Sequence, residues 1–476
     1  MITFKEKLTK TFLHSIFYSL LPIALICLYF YFHSFAPFFT PITHQSSLSA
    51  SPPLRKVLIM KNKLNGGDEN HTSSNGNFTE EDTISSTKKD LDGGDGHHTS
   101  FDGNFTEEKR KKEKPQEKQC DYFNGNWVHD KRAPLYNGTT CSDIKKSQNC
   151  IVNGRPDSSY LYWRWKPSEC DLPIFEPNTF LKLIKNMNIA FVGDSLANNQ
   201  IESLICLLST VSSPKRVHHI GSDGRWYFPS YNANLTAYWS PFLVKGDQRI
   251  KDGPQYNTIY LDQVNQMWAR DIDQIDSIVL SFGHWFTDVP SIYYEGGSII
   301  GCFRCHEFKF NYTDIGFYVP MRKALRTTLN SIIEKKIVRG NGIDVIVRTY
   351  SPTHFEGDWD KGGTCSKSEP YKNEEKKLEG MDAKIRSIEI EEAENAKVKA
   401  QQIGLNLEVL DITKLALLRP DGHAGAYMNP FPFAKRVPKN VQNDCVHWCL
   451  PGPIDIWNEI FLQMMKNGKN HSLIEK

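Results

Sequence analysis

The sequence predicts an α/β fold whose mainly parallel sheet is covered by helices on both faces. From Met187 onward, short apolar runs ending in Gly, Ser or Thr alternate with stretches of helical periodicity, the order expected of strand–helix crossovers. The chain is also long enough, at 476 residues, for one large or two ordinary domains with a buried core. An aromatic content of 12% excludes wholesale disorder. With 57 Lys+Arg against 55 Asp+Glu, the near-neutral charge argues against a dedicated nucleic-acid binder.

Taken in order, residues 1–11 read as a cytosolic tail and residues 12–32 as a transmembrane signal anchor. The anchor, FLHSIFYSLLPIALICLYFYF, holds no Lys, Arg, Asp or Glu, and its length matches a hydrocarbon core of about 30 Å. A cleaved signal peptide would normally carry a shorter apolar region. Lys5, Lys7 and Lys10 precede the run, and the next basic residue is Arg55, so the remainder is expected across the membrane. Residues 33–118 are polar and contain a duplication, Gly66–Glu81 repeated as Gly93–Glu108. Each copy offers too little apolar surface to stack, which predicts a flexible lumenal stem. His71, His97 and His98 lie in this tract and read as solvated residues, not as a metal site. Seven N-x-S/T sequons, at Asn70, Asn77, Asn104, Asn137, Asn234, Asn311 and Asn470, agree with a secretory lumen.

Cys27 falls in the apolar run, leaving ten cysteines beyond it; an even number there suits a disulfide framework. Cys302-Phe-Arg-Cys305 has no second pair at zinc-finger spacing and no thioredoxin-like pattern around it, which argues against metal or redox chemistry. Residues 119–172 form a Cys- and Trp-rich subdomain with little periodicity, and residues 173–470 the catalytic domain. Expected strands are Asn188–Gly193, Ser277–Ser281, Asp344–Thr349 and Leu407–Leu410. Expected helices are Leu196–Leu208, Val319–Lys335 and Ala383–Gln402.

Two motifs carry chemistry. Met187-Asn-Ile-Ala-Phe-Val-Gly-Asp-Ser195 places a buried strand before Gly193 and a helix just after Ser195. A serine there meets the unpaired N–H groups of a helix N-terminus, which are suited to stabilising an oxyanion. Alone, Gly-Asp-Ser is an ordinary turn and helix cap. The second motif, Asn443-Asp444-Cys-Val-His447-Trp-Cys449-Leu-Pro-Gly-Pro453, reads as a loop in which Asp444 orients the His447 imidazole and His447 takes a proton from Ser195. The flanking Cys445 and Cys449 suggest disulfides that pin this loop.

Gly193-Asp194-Ser195 with Asp444-x-x-His447 resembles the GDSL/SGNH esterase superfamily. The order of Cys120-Asp-Tyr-Phe-Asn-Gly-Asn-Trp127, Asn153-Gly-Arg155-Pro-Asp157, Tyr162-Trp163-Arg164-Trp165-Lys-Pro-Ser-Glu-Cys170 and Arg348-Thr-Tyr-Ser-Pro352 resembles its plant trichome-birefringence-like branch of polysaccharide O-acetyltransferases. Gly283-His284-Trp285-Phe286, Gly301-Cys302-x-x-Cys305 and the stretch from His354 to Cys365 are similar to the xyloglucan O-acetyltransferases within it. The resemblance implies an SGNH-hydrolase-like three-layer αβα sandwich with the Cys-rich addition. It also implies a single-pass type II Golgi membrane protein, with acetyl transfer through an acyl-Ser195 to a wall glycan, xyloglucan side chains above xylan, mannan or pectin. No bound cofactor or metal is implied. The acetyl donor, acetyl-CoA or a relayed acetyl group, is a co-substrate, and acetyl-supplying membrane proteins are candidate partners. An acetylesterase would use the same triad with water as acceptor, and a binding protein would leave the serine idle. Many relatives carry an Asn that donates to the oxyanion where this chain has Ser281-Phe282-Gly283. The Ser195 and Gly283 amides are substitute donors, with Gly193, Asp194 and His284 lining the same place. Arg155 and Arg164 are candidates for contacting the donor or glycan, with bridges to Asp157, Glu169 or a backbone carbonyl as the plainer reading. Tyr160, Tyr162, Trp163 and Trp165 are either sugar platforms or one buried strand face. Resemblance also pairs Cys120 with Cys170 and Cys141 with Cys206.

Overall fold

The computed structural model describes residues 120–339, 343–434 and 441–474. The expected membrane anchor, the stem with its repeat, and the sequons at Asn70, Asn77 and Asn104 lie outside the described residues. Among the described residues no helix is long and apolar enough to cross a membrane.

The Cys- and Trp-rich segment opens with β1 (Gly125–His129) and β2 (Trp163–Pro167), an antiparallel pair. Trp127 faces Trp165 across it, ring centroids 5.6 Å apart. Both indole N–H groups are satisfied by backbone carbonyls, Leu415 at 2.9 Å and Tyr122 at 2.8 Å, as burying an indole requires. Tyr160 and Trp165 are buried while Tyr162 and Trp163 are half-buried, so half of this aromatic run is core. The structure joins Cys120 to Cys170 and Cys141 to Cys206, and it adds Cys150–Cys449, Cys302–Cys305 and Cys365–Cys445.

Next come α1 (Pro177–Leu183), β3 (Asn188–Gly193) and α2 (Ser195–Ser209). Two antiparallel strands, β4 (Lys215–Ile220) and β5 (Asp223–Phe228), lead into β6 (Ala233–Trp239). Then β7 (Val244–Asp247), β8 (Asn257–Val264) and β9 (Ser277–Ser281) follow. The hairpin β10 (Ser291–Glu295) and β11 (Ser298–Phe303) precedes α3 (Tyr318–Arg339), β12 (Asp344–Arg348), α4 (Gly380–Gln401) and β13 (Asn406–Leu410). The chain closes with β14 (His423–Gly425), β15 (Asp444–Trp448) and α5 (Ile454–Ile474).

The main sheet has seven strands in the order β13-β12-β9-β3-β6-β5-β4. The first five are mutually parallel, and β5 and β4 extend the sheet antiparallel. The sheet is therefore mixed; four of its five parallel strands are those expected from sequence, and β6 is the addition. A second sheet, β11-β10-β8-β7, is also mixed and was not anticipated. Along β3 the side chains alternate between two cores. Ile189 and Phe191 pack toward α1, α2 and α5, where Phe180 and Phe461 lie 5.7 Å apart. Ala190 and Val192 pack toward α3 and α4, against Met321, Leu325 and Ile385. Burial on both faces is why β3 reads as an unbroken apolar run. By contrast β4 (KRVHHI) is exposed throughout and its cations blunt an edge strand.

Chain order reverses at β3: the sheet grows through β6 on one side and β9 on the other. Open α/β sheets form their crevice at the carboxyl ends of strands beside such a reversal. Ser195 follows β3, and Gly283 and His284 follow β9, at that edge.

Candidate active site

Gly193 ends β3 because only a bare Cα fits: a Cβ there would lie 1.7 Å from the Ser281 carbonyl oxygen. The turn is held from both neighbours, with Asp194 N–H donating to that oxygen at 3.2 Å and Ser240 N–H donating to Gly193 O at 2.8 Å. Asp194 is the N-cap of α2, its Oδ1 accepting from Leu196 N–H at 3.0 Å. It is 1% exposed. Burial alone would raise its carboxyl, but His284, Arg348 and the Leu196 amide outweigh burial and hold it below the ordinary range. Ser195 begins α2, so its N–H has no partner within the helix.

Gly283 has φ 139°, and a Cβ there would press to 2.7 Å from Tyr350; the close approach of that ring explains the glycine. His284 stacks on Tyr350 at 4.5 Å and sets Nδ1 3.7 Å from Asp194 Oδ2. The imidazole is buried and stands beside the Asp194 carboxylate, one residue from the serine.

Asp444 and His447 lie on β15, not in the loop expected from sequence. The strand exists because it pairs with β14, Trp448 opposite His423. Asp444 Oδ1 accepts from the N–H groups of Val446 (3.1 Å) and His447 (2.9 Å), curling the backbone so that Oδ2 accepts from His447 Nδ1 at 2.8 Å. Burial opposes the charge on Asp444, but the His447 ring and those N–H donors hold the carboxyl far below its usual range. Burial likewise acts to lower the His447 imidazole, and Asp444 overrides it, leaving the ring above its ordinary value. The pair is a proton acceptor with its counter-charge built in.

Asn199, one turn beyond Ser195 and fully buried, docks this strand on α2. Its Oδ1 accepts from Trp448 N–H at 2.8 Å, and its Nδ2 donates to Trp448 O at 3.3 Å and to Gln148 Oε1 at 3.1 Å. The Cys365–Cys445 and Cys150–Cys449 bridges clamp β15 two residues on either side of His447. Ser195 is half-buried and makes no hydrogen bond to His447 among the described residues. The structure thus joins Asp444 to His447 directly and ties both to the serine's helix through Asn199.

Several supporting residues escaped the sequence reading. His354 Nδ1 lies 2.7 Å from His423 Nε2, and the pair links the Leu417 carbonyl (2.8 Å) to the His447 carbonyl (3.0 Å). Burial pushes His354 down to about 4 and lowers His423 as well. Beneath Asp194, Arg348 and Glu389 are buried together. Desolvation pushes the Glu389 carboxyl well above its usual range, while its Oε2 accepts from Tyr350 N–H at 2.7 Å. A neutral amide can take over that acceptor role, so Glu389→Gln is expected to melt no lower than the native chain at pH 7. A drop of several degrees in calorimetry would show that the carboxyl is ionised.

Arg155 spends its donors on the carbonyls of His423 (2.9 Å) and Asp421 (2.7 Å) and on Asp157 (3.1 Å). Arg164 pairs with Glu459 of α5 at 3.1 Å. Among the described residues no cluster of His, Cys, Asp and Glu is arranged to hold a metal ion.

Two family models match consecutive stretches. Residues 118–171 match the PMR5 N-terminal domain, and residues 172–464 match the GDSL/SGNH-like acyl-esterase family found in Pmr5 and Cas1p. Xyloglucan O-acetyltransferase 1 of Populus trichocarpa is 57% identical over 355 residues, covering 74% of this chain and 82% of that protein. Xyloglucan O-acetyltransferase 2 of the same species is 56% identical over 354 residues, covering 74% and 83%. Xyloglucan O-acetyltransferase 1 of Arabidopsis thaliana is 50% identical over 357 residues, covering 74% and 82%.

Proposed function

The chain belongs to the GDSL/SGNH-like acyl-esterase family, and from that premise we propose that it is a xyloglucan O-acetyltransferase working through Ser195, His447 and Asp444. The observation that carries the reading is the 2.8 Å Asp444–His447 hydrogen bond, docked by Asn199 onto the helix that Ser195 opens. Similarity to the xyloglucan O-acetyltransferases supports the acceptor.

In this mechanism Ser195 Oγ attacks the acetyl carbonyl of the donor while His447 Nε2 removes the hydroxyl proton. The tetrahedral oxyanion is met by the Ser195 and Gly283 N–H groups. The donor leaves with the proton held by His447, and the acetyl group remains as an ester on Ser195. A sugar hydroxyl then loses its proton to His447 and attacks that ester. Collapse of the second tetrahedral intermediate releases the acetylated glycan and returns the proton to Ser195. Asp444 stabilises the imidazolium in each half-reaction.

The apolar run at residues 12–32, with lysines on its amino side, supports a type II membrane anchor holding this domain in the Golgi lumen. Glycans there are expected on Asn137 and Asn311, which are exposed. None is expected on Asn234, which lies within β6 and gives its side-chain amide to Asn188 Oδ1 at 2.6 Å; peptide mapping after glycosidase treatment in heavy-oxygen water checks this.

The activity test incubates the full chain with a labelled acetyl donor and, in parallel, xyloglucan, xylan, mannan and pectin oligosaccharides, beside Ser195→Ala. Ser195-dependent label on xyloglucan is the expected result. Release of acetate from acetylated glycans with no transfer to any acceptor would make the protein an esterase.

A further inference from the structure

A cavity of about 330 Å³ lies between the Cys- and Trp-rich segment and α5, away from the catalytic turn. Leu207 lines it, twelve residues beyond Ser195 on α2, or about 18 Å along the helix axis. Its size falls at the small end of ligand sites.

The walls combine apolar and polar surfaces. Trp163 stands half-buried in one wall. Tyr160 is 1% exposed, and its hydroxyl has no hydrogen-bond partner among the described residues. Glu459 is buried: its Oε1 accepts from Arg164 and from Phe175 N–H, and its Oε2 lies 3.1 Å from Arg164 Nη1 as an ion pair. Glu459 faces Arg164 as its counter-charge, and Asp455 accepts from the Tyr136 and Ser203 hydroxyls, so the carboxyls of the wall act as acceptors. Unsatisfied buried polar atoms cost stability unless a ligand or water meets them.

The charge balance identifies the ligand class. Three guanidiniums reach the cavity, and each has its own carboxylate: Arg132 with Asp130 at 2.8 Å, Arg164 with Glu459 at 3.1 Å, and Arg419 with Asp421 at 2.8 Å. Among the described residues that line the cavity, no surplus positive charge remains to hold a phosphate-bearing donor. A neutral molecule with an apolar ring face and hydroxyl edges fits: the ring face packs on an indole, and the hydroxyls meet phenol, carboxyl and guanidinium.

We propose that this cavity is an accessory sugar-binding site, separate from the acyl-transfer centre, that holds a unit of a neutral polysaccharide on Trp163. Only the identity of that polysaccharide rests on the acetyltransferase reading.

The test uses the full chain with Ser195→Ala, titrated with a xylosylated glucan oligosaccharide and, separately, with coenzyme A, followed by saturation-transfer NMR. Two classes of oligosaccharide site are expected. Trp163→Ala removes the platform, and Leu135→Trp, at a cavity residue 47% exposed, fills the space without disturbing the core. Each is expected to weaken one class by about tenfold and leave the other intact. Coenzyme A binding should be unchanged by either. If both variants bind the oligosaccharide as the parent does, or if coenzyme A is what they lose, the proposal is overturned. Transfer assays with Ser195 intact keep the two readings separable. Leu135→Trp should still acetylate a short acceptor at the parent rate, and an inactive parent would count against the transferase alone.

Discussion

Replacing Ser195 with alanine is expected to lower acyl transfer by about 10³-fold or more, and Asp444→Asn by about 10⁴-fold. The two differ in what survives. Ser195→Ala removes the nucleophile from a half-buried position, so its melting temperature should stay close to the parent's. Asp444→Asn keeps the shape but removes the charge that holds the His447 imidazole above its ordinary value. His447 must be neutral to accept a proton, so activity rises with pH as that ring deprotonates. Asp444 lifts the ring's pKa and thereby moves this rise to higher pH. The residual activity of Asp444→Asn should therefore have its acid limb at lower pH than the parent's. An unmoved acid limb would mean that some other group governs the profile. A Ser195→Ala chain that still transfers acetyl would remove the mechanism altogether.

The second large effect is expected on stability. The Cys150–Cys449 bridge joins residues 299 apart in sequence, and closing so long a loop restrains the unfolded chain strongly. Loop entropy puts the loss in Cys150→Ser with Cys449→Ser at about 6 kcal/mol, which is a fall of roughly 8 °C in a domain of this size. Activity should fall as well, because Cys449 is two residues from His447. The Leu450 N–H to Gln148 O hydrogen bond, 2.9 Å, then holds this part of the chain without its covalent clamp. Calorimetry and a small-ester assay on the double variant read both consequences. An unchanged melt would show that the bridge contributes no restraint, and the clamp argument would fail with it.

The elements that packing alone dictates were legible. The strands Asn188–Gly193 and Ser277–Ser281 lie at the residues expected from their apolar runs, and the expected helices overlap α2, α3 and α4 with ends differing by a few residues. These segments are buried against the sheet or form it, so local composition and tertiary environment agree. The second sheet was missed because its central pair, β8 and β10, is parallel and joins Asn257 to Ser291 across an intervening strand of the main sheet, and β7 has only four residues. The exposed β4 gave no signal because it has no buried face to impose alternation.

In the site, the division follows sequence separation. Gly193-Asp194-Ser195 and Asp444-x-x-His447 are local patterns whose chemistry the residues themselves declare: a tight turn, a helix cap, and a carboxylate within reach of an imidazole. That Asp444 and His447 stand on a strand follows from pairing with His423–Gly425 some twenty residues earlier, which no local pattern encodes. Asn199 meeting Trp448, His354 meeting His423, and Cys150 meeting Cys449 join partners 69 to 299 residues apart. Sequence by itself pointed to the side chains proposed for acyl transfer and to four of the five parallel strands, because short-range backbone preference and burial decide both. Only the tertiary structure decided how the histidine strand is held to the serine's helix, because hydrogen bonds between distant segments exist only once the chain has closed around its core.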